Sequence, residues 1–212
     1  MINLSQRMVA LGTAKSEIRE AFAFAQARAA AVGPEQVDDF SIGNPSVPAP
    51  DTVKELVHQL MDSVDPVKLH GYTPAQGEAS VRQALADDLN RRYGTAYTAD
   101  HFYLTAGAAG ALCCALSALG CPGDQFLTFA PYFPEYKVFV ESAGAQLVAV
   151  PARLEDFQID FAALEAALSP QVKGVIINSP NNPTGVVYSQ ETIRRLAQML
   201  GEKSRAYGHP IW

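Results

Sequence analysis

Gly174-Val175-Ile176-Ile177-Asn178-Ser179-Pro180-Asn181-Asn182-Pro183-Thr184-Gly185 joins an uninterrupted apolar run to a string of loop formers. A strand with one wet face alternates apolar and polar residues. Val175-Ile176-Ile177 does not, which predicts a strand over 174–178 buried on both faces. Outward from it the same unit repeats. Strands at 102–105, 126–129 and 147–150 alternate with helices at 108–119, 134–143 and 160–168. A further helix runs from a Ser189 cap to Tyr207, Asp160 caps the helix before it, and a fifth strand begins at Pro210. Repeated strand–helix units predict an α/β fold, a mostly parallel sheet with helices on both faces. Ligands in such sheets bind beyond the carboxyl ends of the strands. The segments to inspect are therefore 106–110, 130–135 and 179–185.

The first hundred residues read differently. Ile18, Phe22, Ala25 and Ala29 recur at helical spacing and predict a helix over 15–32, stopped by Gly33-Pro34. A short extended piece at 40–45 runs into a proline-rich loop. Asp51 is the predicted N-cap of a helix to Ser63. A loop at 65–77 precedes a helix over 78–93, with Val81, Leu85 and Leu89 on one face and Gly94 as its stop.

Composition bounds the partners. The chain has 212 residues, of which 48% are hydrophobic and 18% charged, enough apolar material for a sizeable core. With 16 basic and 22 acidic residues the net charge is −6. An acidic chain without a Lys/Arg cluster argues against nucleic acid or an anionic membrane. The N-terminus lacks the apolar region of a signal peptide, and a cytoplasmic location is expected. The longest uncharged apolar run, 106–122, is short for a membrane span and predicts a buried helix. Cys113, Cys114 and Cys121 are odd in number and include no C-x-x-C, so they predict neither disulfides nor a zinc site. They read as small core hydrophobes. His58, His70, His101 and His209 have no metal-ligand spacing, and no metal is expected.

Four segments could carry chemistry. Thr105-Ala106-Gly107-Ala108-Ala109-Gly110 ends a strand and opens a helix, so its amides and the helix dipole suit an anion. It is neither G-x-G-x-x-G nor G-x-x-x-x-G-K-[ST]. Read alone, it serves tight helix–sheet packing as well as phosphate binding. Pro131-Tyr132-Phe133-Pro134 offers aromatic faces for a planar heterocycle, or simply a core or interface aromatic. Asn178 to Gly185 is a rigid turn with amide donors at the sheet's edge. Gly71-Tyr72-Thr73-Pro74-Ala75-Gln76-Gly77 presents a tyrosine on a rigid loop, to a ligand or to packing.

In this order the segments resemble the class I/II aminotransferases, fold type I enzymes that use pyridoxal 5′-phosphate (PLP). The resemblance runs from about Phe40 to the end. It rests on Ile42-Gly43-Asn44-Pro45, Tyr72 with Gly77 and Arg82, Thr105 to Ala109, Pro131-Tyr132-Phe133-Pro134-Glu135-Tyr136, and Asn181-Asn182-Pro183-Thr184-Gly185. The last is highly specific to the family; the others are strong together. The resemblance implies that Gly107, Ala108 and Ala109 hold the cofactor phosphate through backbone N–H groups. It implies that Phe133 stacks on the pyridine ring and Asn182 donates to the ring's phenolic oxygen. Tyr72 would reach the phosphate in the neighbouring subunit of a homodimer with shared sites, and Gly43 would lie near the substrate carboxylate. Many relatives carry a hydroxyl in the phosphate turn where this chain has Ala108-Ala109, which leaves backbone donors only.

The resemblance also implies parts that this chain does not supply. The aspartate that keeps the ring nitrogen protonated comes just after the strand that begins at Pro210. The Schiff-base lysine and the carboxylate-binding arginine come later still. None of Lys15, Lys54, Lys68, Lys137, Lys173 and Lys203 stands in the lysine's place. The expected architecture is thus an N-terminal arm and substrate loop at 1–50 and a partial PLP-binding large domain at 51–212. The C-terminal small domain is missing, and about five of seven strands are supplied. The 212 residues alone are expected to be unstable or aggregated, and inactive. The implied function of the whole is transfer of an amino group from an amino acid to a 2-oxo acid, with a lean to the aspartate or aromatic group. Two alternatives stand beside it: another PLP reaction on the same scaffold, such as a C–S lyase or decarboxylase, and a truncated non-catalytic partner subunit.

Overall fold

The computed structural model describes residues 4–13, 17–43 and 47–212. Asn44 and Pro45 of the resemblance lie outside these residues. By its contacts the chain forms two units, Met1–Tyr72 and Thr73–Trp212.

The first unit holds helices α1 (Gln6–Thr13), α2 (Glu17–Val32), α3 (Asp51–Ser63) and α4 (Pro66–Leu69). Along α2 the residues Phe22, Ala25 and Ala29 are half-buried, as their spacing predicts, while Ile18 is exposed. Pro50, not Asp51, is the N-cap of α3, and no side chain caps it. Asp51 instead lies in the first turn, where a carboxylate still meets the positive end of the dipole. The predicted loop after α3 contains α4, because Asp65 accepts from the amides of Val67 and Lys68 and nucleates one turn. Along α3 the residues Val53, Leu56, Val57, Leu60 and Met61 are all exposed.

The second unit is α5 (Ala79–Tyr93), α6 (Gly107–Leu119), β1 (Gln125–Ala130), α7 (Glu135–Ser142), β2 (Gln146–Pro151), α8 (Phe161–Ala167), β3 (Val172–Ile176) and α9 (Gln190–Tyr207). The strands form a parallel sheet in the order β2-β1-β3. Leu127, Phe129, Val150 and Val172 face α8 and α9 through Leu164 and Leu196. Phe126 faces the other way, with Leu147 and Ile176 beside it, against Leu116 of α6 and Val140 of α7. Helices thus cover both faces. A register shift between Gln125 and Phe126 lets Val172 and Val175, three residues apart, join the same core.

Asp160 and Ser189 cap their helices as predicted, and α5 stops at Gly94. Five expectations are corrected. Residues 102–105 are extended but join no strand ladder among the described residues. Pro210 and Ile211 form no strand either, although Trp212 donates to the Lys173 carbonyl (3.0 Å) and accepts from the Val175 amide (2.7 Å). The run 106–122 is largely exposed, with only Leu116 buried, and all three cysteines are exposed. A 13-residue helix lying on one side of a sheet buries a single stripe, and Leu112, Leu116 and Leu119 supply it. On α5 the buried face is Arg82 and Ala86 rather than Val81 and Leu85, which are exposed. The Arg82 guanidinium is held on this face by the Gly77 and Ala99 carbonyls. Finally, β3 ends at Ile176 and Ile177 is exposed, so this strand is not buried along its whole length.

Candidate active site

Three loops meet the carboxyl edge of the sheet. β1 leads through 131–134 into α7 on one face, and β3 leads through 177–189 to α9 on the other. Neighbouring strands whose connections leave to opposite faces open a crevice between their ends. The third loop arrives by the helix before β1. The turn 120–124 reverses the chain, so α6 runs back along β1. Its 13 residues span about 20 Å, as do the six of β1 at roughly 3.3 Å each. The N-terminus of α6 therefore reaches the same edge.

The turn after β3 is held by its own side chains. Asn181 is buried, and its Nδ2 donates to the Pro131 carbonyl (3.1 Å) and to Thr184 Oγ1 (2.9 Å). Its backbone closes the turn, donating to Val186 O (2.9 Å) and accepting from the Gly185 amide (2.7 Å). Asn178 Oδ1 accepts from the Asn182 amide (2.8 Å), and Ser179 Oγ from the Tyr188 amide (3.0 Å). Asn182, the residue singled out from the sequence, is exposed with its side-chain amide unpaired. Two adjacent asparagines thus divide the work: Asn181 ties this turn to the aromatic loop, and Asn182 faces outward. The sequence reading missed Asn181. The only available signal was the doublet itself.

In the aromatic loop Phe133 and Tyr132 are half-buried. Tyr136 stacks on Tyr132 with ring centres 6.4 Å apart and meets the edge of Phe133 at 5.6 Å. Tyr188 packs edge-on against Phe129. Glu135 Oε2 is buried without a hydrogen-bond partner, at the first turn of α7 where the dipole favours a carboxylate. Burial raises the Tyr136 phenol above the ordinary tyrosine range. Burial first, and charge on Tyr136 second, raise Tyr188. A phenol with a raised folded pKa keeps its contribution to stability below the unfolded value and loses it as pH rises through the folded one. Melting temperature is therefore expected to fall above about pH 10, and Tyr188→Phe to flatten that fall. A Tyr188→Phe profile parallel to the wild type would overturn this assignment.

At the start of α6, Ala106 is the N-cap and no side chain caps the helix. Gly107 stands at φ +83°, a left-handed conformation that a side chain would strain, and its N–H donates to the Thr105 carbonyl (3.0 Å). Thr105 Oγ1 donates to the Gly107 carbonyl (2.9 Å). Of the three residues expected to offer amides, Gly107 is thus engaged, while the Ala108 and Ala109 N–H groups are exposed and unpaired. Gly43 and Tyr72 belong to the first unit. Tyr72 is fully exposed, and Gly43 has open space where a Cβ would stand.

A cavity of about 350 Å³ opens elsewhere, between the end of β2 and the start of α9, lined by Arg153, Gln158, Phe161, Ser189, Thr192 and Arg195. Of the residues singled out from the sequence it contains only Ser189, the cap of α9, and none of those expected to hold a ligand. Arg195 lies over the Phe161 ring, 4.1 Å from its centre. Among the described residues no three His, Cys, Asp or Glu side chains gather as a metal ion requires, and no helix is long and apolar enough to cross a membrane.

A family model for aminotransferase class I and II matches residues 35–207. A probable aspartate/prephenate aminotransferase of Thermus aquaticus is 35% identical over 158 residues, 74% of this chain and 40% of that protein. Among solved structures, an amino transferase from Eubacterium rectale covers the whole chain at 52% identity with a TM-score of 0.95, over 53% of its own length. An aspartate aminotransferase of Thermus thermophilus, solved with maleate, covers the whole chain at 28% identity with a TM-score of 0.81, over 52% of its length. This chain therefore spans about half the length of the solved relatives, and 40% of the curated one from Thermus aquaticus. The match runs through all three loops of the sheet's carboxyl edge, and on it the chain belongs to the class I and II aminotransferase family.

Proposed function

We propose that this chain forms the cofactor-holding part of an aminotransferase that moves an amino group from an amino acid to a 2-oxo acid, with aspartate as the favoured donor class. Aspartate aminotransferases use PLP as cofactor. The observation that carries the reading is the donor set at the sheet's edge: two unpaired amides at a helix N-terminus, an aromatic loop, and an outward-facing asparagine. This set suits PLP, because residues 105–110 contain no carboxylate that would repel a phosphate.

In this reading Ala108 and Ala109 donate to phosphate oxygens, aided by the α6 dipole, and Gly107 shapes the turn that aims them. Phe133 stacks on the pyridine ring, and Asn182 Nδ2 donates to its phenolic oxygen. Gly43 leaves room for the substrate carboxylate. Tyr72 reaches the phosphate held by the other subunit of a homodimer, so the sites are shared. Residues 1–50 serve as arm and substrate loop, and 51–212 as part of the PLP-binding domain. When bound, PLP supplies an electron sink for the substrate Cα.

The test is a PLP titration of the full-length gene product, followed by a single addition of aspartate. The expected results are a PLP absorbance change and its conversion by the donor without a second substrate. A protein whose spectrum ignores PLP would refute the reading. The 212 residues by themselves are expected to show no turnover, because none of their lysines lies in the three loops. They are also expected to self-associate, since α3 exposes Val53, Leu56 and Leu60 on a helix with no buried residue. A monomeric, cooperatively melting, active 212-residue protein would count against both.

A further inference from the structure

We propose that Arg82 is a positioning residue for the turn that holds the cofactor phosphate, a role that rests on the reading of that turn given above. Arg82 is the one charged side chain buried among the described residues, at 8% exposure. A buried guanidinium is tolerated only where its donors are used. Nε donates to the Gly77 carbonyl (3.1 Å) and Nη1 to the Ala99 carbonyl (2.7 Å). The Asp100 carboxylate lies 3.7 Å from Nη1 but is 95% exposed, so solvent screens it and the two carbonyls are the main partners.

Those carbonyls bracket the approach to the phosphate turn. Ala99 begins the short helical turn Ala99–His101, directly before the extended residues 102–105. Gly77 lies against Leu104. The Leu104 amide donates to the Gln76 carbonyl (3.0 Å), and a Cβ on Gly77 would stand 2.6–2.8 Å from Leu104 side-chain atoms. Gly77 also has φ +89°, so only glycine fits. One residue further, Thr105 bonds Gly107 twice, by its carbonyl and by its hydroxyl. A continuous chain of contacts therefore links Arg82 to Gly107, through Gly77, Leu104 and Thr105. Residues 102–105 join no strand ladder among the described residues, so this clamp sets the direction from which the chain enters the turn.

Displacing the clamp lets the Ala108 and Ala109 amides drift from their common aim, and the loss falls on the phosphate rather than on the ring. PLP and pyridoxal, which lacks the phosphate, separate the two. In the full-length protein freed of cofactor, Arg82→Met is expected to raise the Kd for PLP by about tenfold or more and to leave that for pyridoxal within about twofold. Arg82→Lys, which keeps a cation and some donors, is expected to fall between. Thr105→Val removes the hydroxyl half of the last link with Arg82 intact, and is expected to give a smaller loss of the same selective kind even where Arg82→Met fails to fold. Equal weakening of PLP and pyridoxal would assign Arg82 a merely structural role and overturn the proposal, as would an unchanged PLP affinity in both Arg82→Met and Thr105→Val. A wild-type protein that binds pyridoxal as tightly as PLP would instead overturn the phosphate reading itself, and this proposal with it.

Discussion

Leu127→Ala is expected to destabilise the protein by about 2–5 kcal/mol, and Phe126→Ala by about 3–5 kcal/mol. Both side chains are almost wholly buried on the central strand, and they point to opposite faces. Each truncation removes contacts from a different core and leaves a cavity that the parallel sheet closes only in part. The control is Val81→Ala on α5, expected to change stability by no more than about 0.5 kcal/mol, because Val81 is 48% exposed. Denaturant melts of the three variants check this. A Val81→Ala loss as large as that of Leu127→Ala would mean that α5 buries the apolar stripe of its sequence and not Arg82.

Asn181 and Asn182 are expected to separate stability from cofactor affinity. Asn181→Ala removes a buried amide that serves the Pro131 carbonyl and Thr184, and should cost about 1–3 kcal/mol. It also frees the turn after β3 from the aromatic loop. Asn182→Ala touches an exposed side chain and should cost less than about 0.5 kcal/mol, while weakening PLP by about tenfold. Urea melts and a PLP titration on the same two variants read both quantities. The reverse pattern, with Asn182 supporting the fold and Asn181 the cofactor, would refute the division of roles.

Much of this fold is legible because its signals are local. Asp160 and Ser189 cap their helices through bonds that span two or three residues, and any sequence window contains both partners. The strand at 126–129 declares itself by side chains buried on both faces, and that at 147–150 by its apolar run, although Ala149 is exposed on this edge strand. The apolar faces of α5 and α6 were misread for the opposite reason. Val81-x-x-x-Leu85 and the uncharged run at 106–122 have the periodicity of buried helices, yet burial depends on what packs against them. On α5 that is decided by the carbonyls of Gly77 and Ala99, five and seventeen residues from Arg82.

The sequence by itself determined the alternation of β1, β2 and β3 with α6 to α9, and the family to which the chain belongs. Those follow from residue type and spacing, which tolerate any particular packing. Tertiary structure alone decided which of two adjacent asparagines is buried, which amide of the turn at 105–109 is already engaged, and that a buried arginine holds the approach to it. Each of these depends on a hydrogen bond whose partner is fixed by the folded path of the chain, and a partner 50 residues away, as Pro131 is from Asn181, leaves no mark on the sequence around either.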